Sequence, residues 1–96
     1  MAEDQEPRLS FGAFILSLAT TAAVHFGDIE EPGSGTRHPP NLAAASQMID
    51  ILAMLHEKTK GNLDPDEREL LDQLLYELRM RFVEARKSGD KKIIIP

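Results

Sequence analysis

The stretch LSFGAFILSLATTAAVHFG, Leu9 to Gly27, contains no Asp, Glu, Lys or Arg. In the chain as a whole 28% of residues are charged and the formal net charge is -5. A run of this kind leaves three options: a membrane span, a core helix, or a helix buried against another copy of itself. Length and flanks test the first. Leu9 to Phe26 is 18 residues, the lower limit for crossing a bilayer. Ser10, Gly12, Ser17, Thr20, Thr21 and His25 interrupt it, and acidic residues stand on both sides: Asp4 and Glu6 before, Asp28, Glu30 and Glu31 after. The Lys/Arg asymmetry that orients membrane helices is missing, as is the basic face of a helix lying on a lipid surface. A small membrane-attached protein anchored through helix 10-26 is therefore the alternative reading.

Helical periodicity supports the other two options. Phe11, Phe14, Ile15, Leu18, Ala22 and Phe26 recur at helical spacing, and Leu16, Ala19 and Ala23 extend the apolar surface around the other side. Such a helix needs burial on several sides. Gly12, Ala13, Ser17, Ala19, Thr20, Ala22 and Ala23 are small enough for two backbones to approach closely. Pairing of two copies across a two-fold axis would place the run at the centre of an isologous interface.

Three helices account for most of the chain. The first, about 10-26, starts at a Ser10 cap and ends at Gly27 in a left-handed cap position. Residues 28-40 are a loop punctuated by Pro, Gly and Ser, long for a compact domain. The second helix, about 42-59, follows an Asn41 cap. Leu42, Ala45, Ile49, Leu52 and His56 form its stripe, widened by Met48, Ile51 and Leu55, with Met54 on the polar side. The segment KGNLDPDERELL then closes one helix and opens the next. Gly61 ends the second, Asp64 caps the third, Pro65 takes the first helical position, and Glu67 completes an Asp-x-x-Glu capping box. So short a turn makes an antiparallel hairpin.

The third helix, about 65-88, has two apolar faces. Leu71, Leu75, Leu78, Phe82 and Ala85 follow a four-three repeat, a coiled-coil-like seam. At about 100° per residue, Tyr76, Met80 and Val83 cluster on the back. One face holds the second helix; the other needs the first helix or a second chain. Glu77 and Arg81 are spaced to pair one turn apart. Residues 1-9 read as a solvated acidic tail, and 89-96 as a C-terminal tail whose isoleucines favour extended structure. The acidic leader lacks the basic start of a secretory signal, so the expected location is cytoplasmic.

Most chemistry is excluded. No cysteine removes disulfides, thiolate zinc sites and a Cys nucleophile. His25, His38 and His56 make no His-x-x-x-His or Glu-x-x-His pair, and His56 reads as a hydrogen-bonded core histidine. His25 with Asp28 and Glu30 is better read as a helix end than a cation site. Thr21 stands one turn before His25, but no acidic third member accompanies them, and mid-helix Ser and Thr bond the preceding turn's carbonyls. The Glu30/Glu31 pair lies in a loop without the shielding that separates carboxyl pKa values. The basic residues between Arg79 and Lys92 suit a helix C-terminus; the acidic total argues against nucleic acid. No cofactor, metal or catalytic residue is expected.

Three segments, SFGAFILSLATTAAVHFG at 10-27, MIDILAMLHEKTKGNLDPDERELL at 48-71 and LLYELRMRFVE at 74-84, resemble a family of small bacterial proteins, domain-of-unknown-function family 1844. The loop around His38 and the isoleucine tail are not part of the pattern that carries the likeness. The resemblance implies a short helical protein and brings no activity or catalytic residues with it.

The reading is an all-α protein: a hairpin of helices two and three with a long apolar helix one, assembled as a homo-oligomer, a dimer or dimer of dimers. Its expected role is non-enzymatic self-association, with docking of another protein as a further use. The expected shared interface is Phe11, Phe14, Ile15, Leu18, Ala22, Tyr76, Met80 and Val83.

Overall fold

A computed structural model describes the backbone of residues 10-94 and the side chains of residues 10-88. The acidic tail expected at 1-9 lies outside the described residues. Three helices follow in order: α1 (Phe11–Phe26), α2 (Leu42–Lys58) and α3 (Pro65–Ile94).

Each start is fixed by a cap. The Ser10 hydroxyl accepts from the Ala13 amide at 3.0 Å, and Asn41 Oδ1 accepts from Ala44 at 3.1 Å. At α3 the capping box is complete in both directions: the Glu67 amide donates to Asp64 Oδ1 at 2.8 Å, and the Asp64 amide donates to Glu67 Oε1 at 3.1 Å. These bonds satisfy amides that the first helical turn leaves without partners.

The ends differ more from expectation. Gly27 terminates α1 with φ 82°. A Cβ there would also meet the His38 carbonyl oxygen at 3.1 Å, so glycine is required twice over. At α2, Thr59 is the C-cap and its hydroxyl donates to the Leu55 carbonyl at 2.7 Å. Gly61, with φ 84°, turns the connection two residues later instead of closing the helix. α3 continues to Ile94, past the Ser88 end read from the sequence and through residues expected to be extended. Each residue added to a formed helix gains a backbone hydrogen bond. Ile95 and Pro96 lie outside the described residues.

The helices run up, down and up. The Asn41 amide donates to the His25 carbonyl at 2.6 Å, bringing the start of α2 to the end of α1. His56 meets Asp72 across the α2–α3 hairpin. Gly12 lies against Leu70, and Asp28 reaches Arg81, so α1 runs parallel to α3. The core is Ile15, Ala22 and Phe26 from α1, Ala45, Ile49 and Leu52 from α2, and Leu71 and Leu75 from α3. Ile15, Leu52 and Leu71 are fully buried; each contributes roughly 1.5–3 kcal/mol by leaving water. At 30 residues, about 45 Å of helix, α3 outruns the 16 residues of α1 and the 17 of α2.

Helix one departs from the sequence reading. It is the shortest of the three, and Ile15, Ala22, Val24 and Phe26 are buried within one chain. α1 sits against both α2 and α3, and the loop folds back over its end at Gly27. Three helices thus hide more of it than its circumference suggests. No helix among the described residues is long and apolar enough to cross a membrane.

Candidate functional site

An apolar stripe is left open on the outside of α3. Tyr76 is 66% exposed, Met80 53% and Val83 46%. Their four-three spacing puts them on one stripe, opposite the buried Leu71 and Leu75. Together with Glu77, Arg81, Glu84 and Lys87 they line a shallow open groove along the helix.

A clamp ties α3 to the end of α1. Arg81 donates from Nε to Asp28 Oδ2 at 2.8 Å and from Nη2 to Oδ1 at 2.7 Å. Its guanidinium also lies 5.1 Å from the centre of the Phe26 ring. A planar guanidinium suits this combination of a bidentate carboxylate and an aromatic face. The hydrogen bonds from Arg81 hold the Asp28 carboxyl below the usual carboxylate range, against a smaller opposing effect of burial, with the charges of Arg81 and Arg37 adding to the lowering. Arg81 is raised for the reciprocal reason. With Phe82 turned towards the core, Tyr76, Met80 and Val83 are left facing outward.

This clamp was not legible in the sequence, which pairs Arg81 with Glu77. Glu77 instead accepts from Gln73 at 3.0 Å, while Arg81 approaches Glu84 at 3.8 Å. The partner that wins is 53 residues away in the chain, and no local spacing announces it.

The interface residues expected from the sequence divide into two groups. Tyr76, Met80, Val83 and Phe14 are exposed, Phe14 at 37%. Phe11 and Leu18 are half-buried against the core. Ile15 and Ala22 are fully buried within the single chain, in the cluster shared by the three helices. Leu16, outside the expected set, is 47% exposed, and Met54 is exposed as its place on the polar side of α2 implied.

The polar residues form structural contacts. Ser17, Thr20 and Thr21 donate their hydroxyls to the carbonyls of Phe14, Leu16 and Ser17, so Thr21 does not engage His25. His56 Nε2 lies 2.8 Å from Asp72 Oδ1, with Arg68 at 3.5 Å from the same carboxylate; it is half-buried at the hairpin rather than sealed in the core. His38 Nε2 lies 2.7 Å from Glu31 Oε1 in the exposed loop. Among the described residues no group of three or more His, Asp or Glu is placed to hold a metal ion.

These features define a small all-α protein, a three-helix bundle with an open apolar stripe on its longest helix. The chain belongs to the DUF1844 family, described as a domain of unknown function, whose model matches residues 8–84. The match runs across the loop at 28-40, outside the three segments that carry the resemblance, and ends within α3 just beyond Val83. No curated protein and no solved structure matches the chain.

Proposed function

We propose that this chain is a non-enzymatic helical association module that assembles with copies of itself through the outer face of α3. The observation that supports this reading is the Tyr76–Met80–Val83 stripe: three large apolar side chains on one face, about half exposed or more, on a helix that buries Leu71 and Leu75 on its other face. A contiguous exposed apolar patch on a small protein marks an interaction surface. Tyr, Met and Arg are also the residues enriched where proteins meet. The hydroxyls of Ser17, Thr20 and Thr21 serve helix carbonyls, His56 the hairpin and His38 the loop. An acidic, cysteine-free sequence supports a reducing, cytoplasmic setting.

Sedimentation velocity over a range of concentrations, comparing the full chain with Met80→Glu, tests the proposal. The expected result is a concentration-dependent assembly in the wild type that the variant loses while keeping its helical spectrum. A wild type that sediments as a single chain throughout overturns it. Membrane pelleting resistant to alkali would favour the anchored alternative, which has no helix of sufficient length and apolarity among the described residues to support it.

A further inference from the structure

We propose that the stripe on α3 pairs with the same stripe of a second copy, parallel and in register, and that Arg79 of each copy faces Glu84 of the other. This rests on the association reading above. Tyr76, Met80, Val83 and Lys87 follow a four-three-four spacing, that of the core positions in a two-stranded coiled coil. The two edges of the stripe carry opposite charge. Glu77 and Glu84 each follow a stripe residue directly, Tyr76 and Val83. Arg79 and Arg86 each precede one directly, Met80 and Lys87. The stripe is therefore acidic along one edge and basic along the other, each at a seven-residue repeat.

Such a face is self-complementary in one orientation. In a parallel pair, the residue before one core position faces the partner's residue five places further on, across the seam. Arg79 then meets Glu84 of the second copy, twice by symmetry. An antiparallel pair centred on the same stripe lays acidic edge on acidic edge, with Glu77 of each copy opposite Glu84 of the other. Like charges so placed are a strong penalty against that arrangement.

Glu84 lines the stripe groove itself, whereas Arg79 borders the crevice between α2 and α3 beside His56, Glu57 and Asp72. Glu84 is 75% exposed, and its 3.8 Å approach to Arg81 is longer than either bond that ties Arg81 to Asp28. No ion pair among the described residues takes up Arg79. The same rule gives two like-charge approaches in the parallel arrangement, Asp72 with Glu77 of the other copy and Arg86 with position 91, a lysine in the sequence, and the two Lys87 residues meet at the seam itself. Asp72 is already compensated by Arg68, and by His56 whenever that ring is protonated. Lys87 continues the stripe with a charge, and a single polar core position of this kind favours a two-stranded state and fixes register.

The test uses charge exchange and a cross-link in the full chain. Arg79→Glu and Glu84→Arg each turn two attractive contacts into two repulsive ones, and each is expected to weaken assembly roughly tenfold or more. Mixing the two variants restores attraction at both contacts, so the mixture should assemble close to wild-type strength. Helicity is monitored throughout; a variant that loses it is replaced by Arg79→Gln or Glu84→Gln, which remove attraction without reversing it. The chain has no cysteine, so Lys87→Cys gives a clean reporter. Parallel pairing brings the two thiols together, whereas an antiparallel pair holds them roughly 20 Å apart along the helix axis.

Cross-linking at position 87 with recovery on mixing supports the proposal. Assembly without cross-linking overturns the orientation and leaves self-association standing. Cross-linking with no effect of charge overturns the Arg79–Glu84 pairing. A wild type that stays a single chain overturns both this inference and the reading it rests on.

Discussion

The two faces of α3 have nearly the same sequence grammar and opposite fates. Leu71 and Leu75 are 0% and 5% exposed, whereas Tyr76 and Met80, on the other side of the same helix, are 66% and 53% exposed. Both sets repeat at helical spacing. What separates them is the supply of neighbours. α1 and α2 together cover one side of α3, the side on which Leu71 and Leu75 are buried, and the Arg81–Asp28 pair ties its edge to the end of α1. The composition of the two faces agrees with the outcome. The inner one uses Leu, which packs without polar atoms, and the outer one uses Tyr and Met, which tolerate an interface that is sometimes wet.

The contrast breaks most severely on the inner face. Leu71→Ala removes a fully buried side chain and is expected to cost about 2–5 kcal/mol, read as a lower urea midpoint. A cost under about 1 kcal/mol would mean that the seam is looser than its burial implies. Next comes the start of α3. Asp64→Ala removes one half of the capping box and is expected to cost about 1 kcal/mol, with Asp64→Asn recovering most of it.

Smaller still is the clamp. Asp28 and Arg81 are partly exposed, 39% and 33%, so solvent screening limits the pair to about 1 kcal/mol or less. Its pH dependence has a definite sign. The folded state holds the Asp28 carboxyl below its ordinary value of 3.8, so the unfolded state takes up the proton first. The contribution is therefore whole above that value and disappears as pH falls through the lowered folded value. Asp28→Asn should flatten that portion of the acid limb in a comparison of urea midpoints against pH. The smallest effect on folding belongs to the outer stripe. Tyr76→Ser and Met80→Ser should each change the stability of the single chain by no more than about 0.5 kcal/mol, measured at concentrations where no assembly forms, while weakening assembly itself.

The same contrast marks how far the sequence could be read. Capping is local chemistry, so Ser10, Asn41 and the Asp64–Glu67 box are legible at a glance and the helix starts follow from them. The double-sided character of α3 is also legible, because a helix of known period assigns Leu75 and Tyr76 to different sides. Periodicity gives an angle and not a neighbour, however. Ile15 and Ala22 read as apolar positions in search of a partner; nothing in their spacing distinguishes a second chain from α2 and α3 of the same one. The bonds from Arg81 to Asp28 depend on how the end of α1 meets α3, which is a tertiary fact. The helix through residues 89-94 escapes the sequence for a different reason: β-branched propensity is a weak preference that an already formed helix overrides.

The central claim, that the outer face of α3 is an association surface, is tested most directly by the mass of the purified full chain in detergent-free buffer, determined by light scattering on a sizing column. The account predicts a whole multiple of 10.7 kDa that falls to one chain in Met80→Glu. A mass of 10.7 kDa at every concentration, in wild type and variant alike, would contradict it.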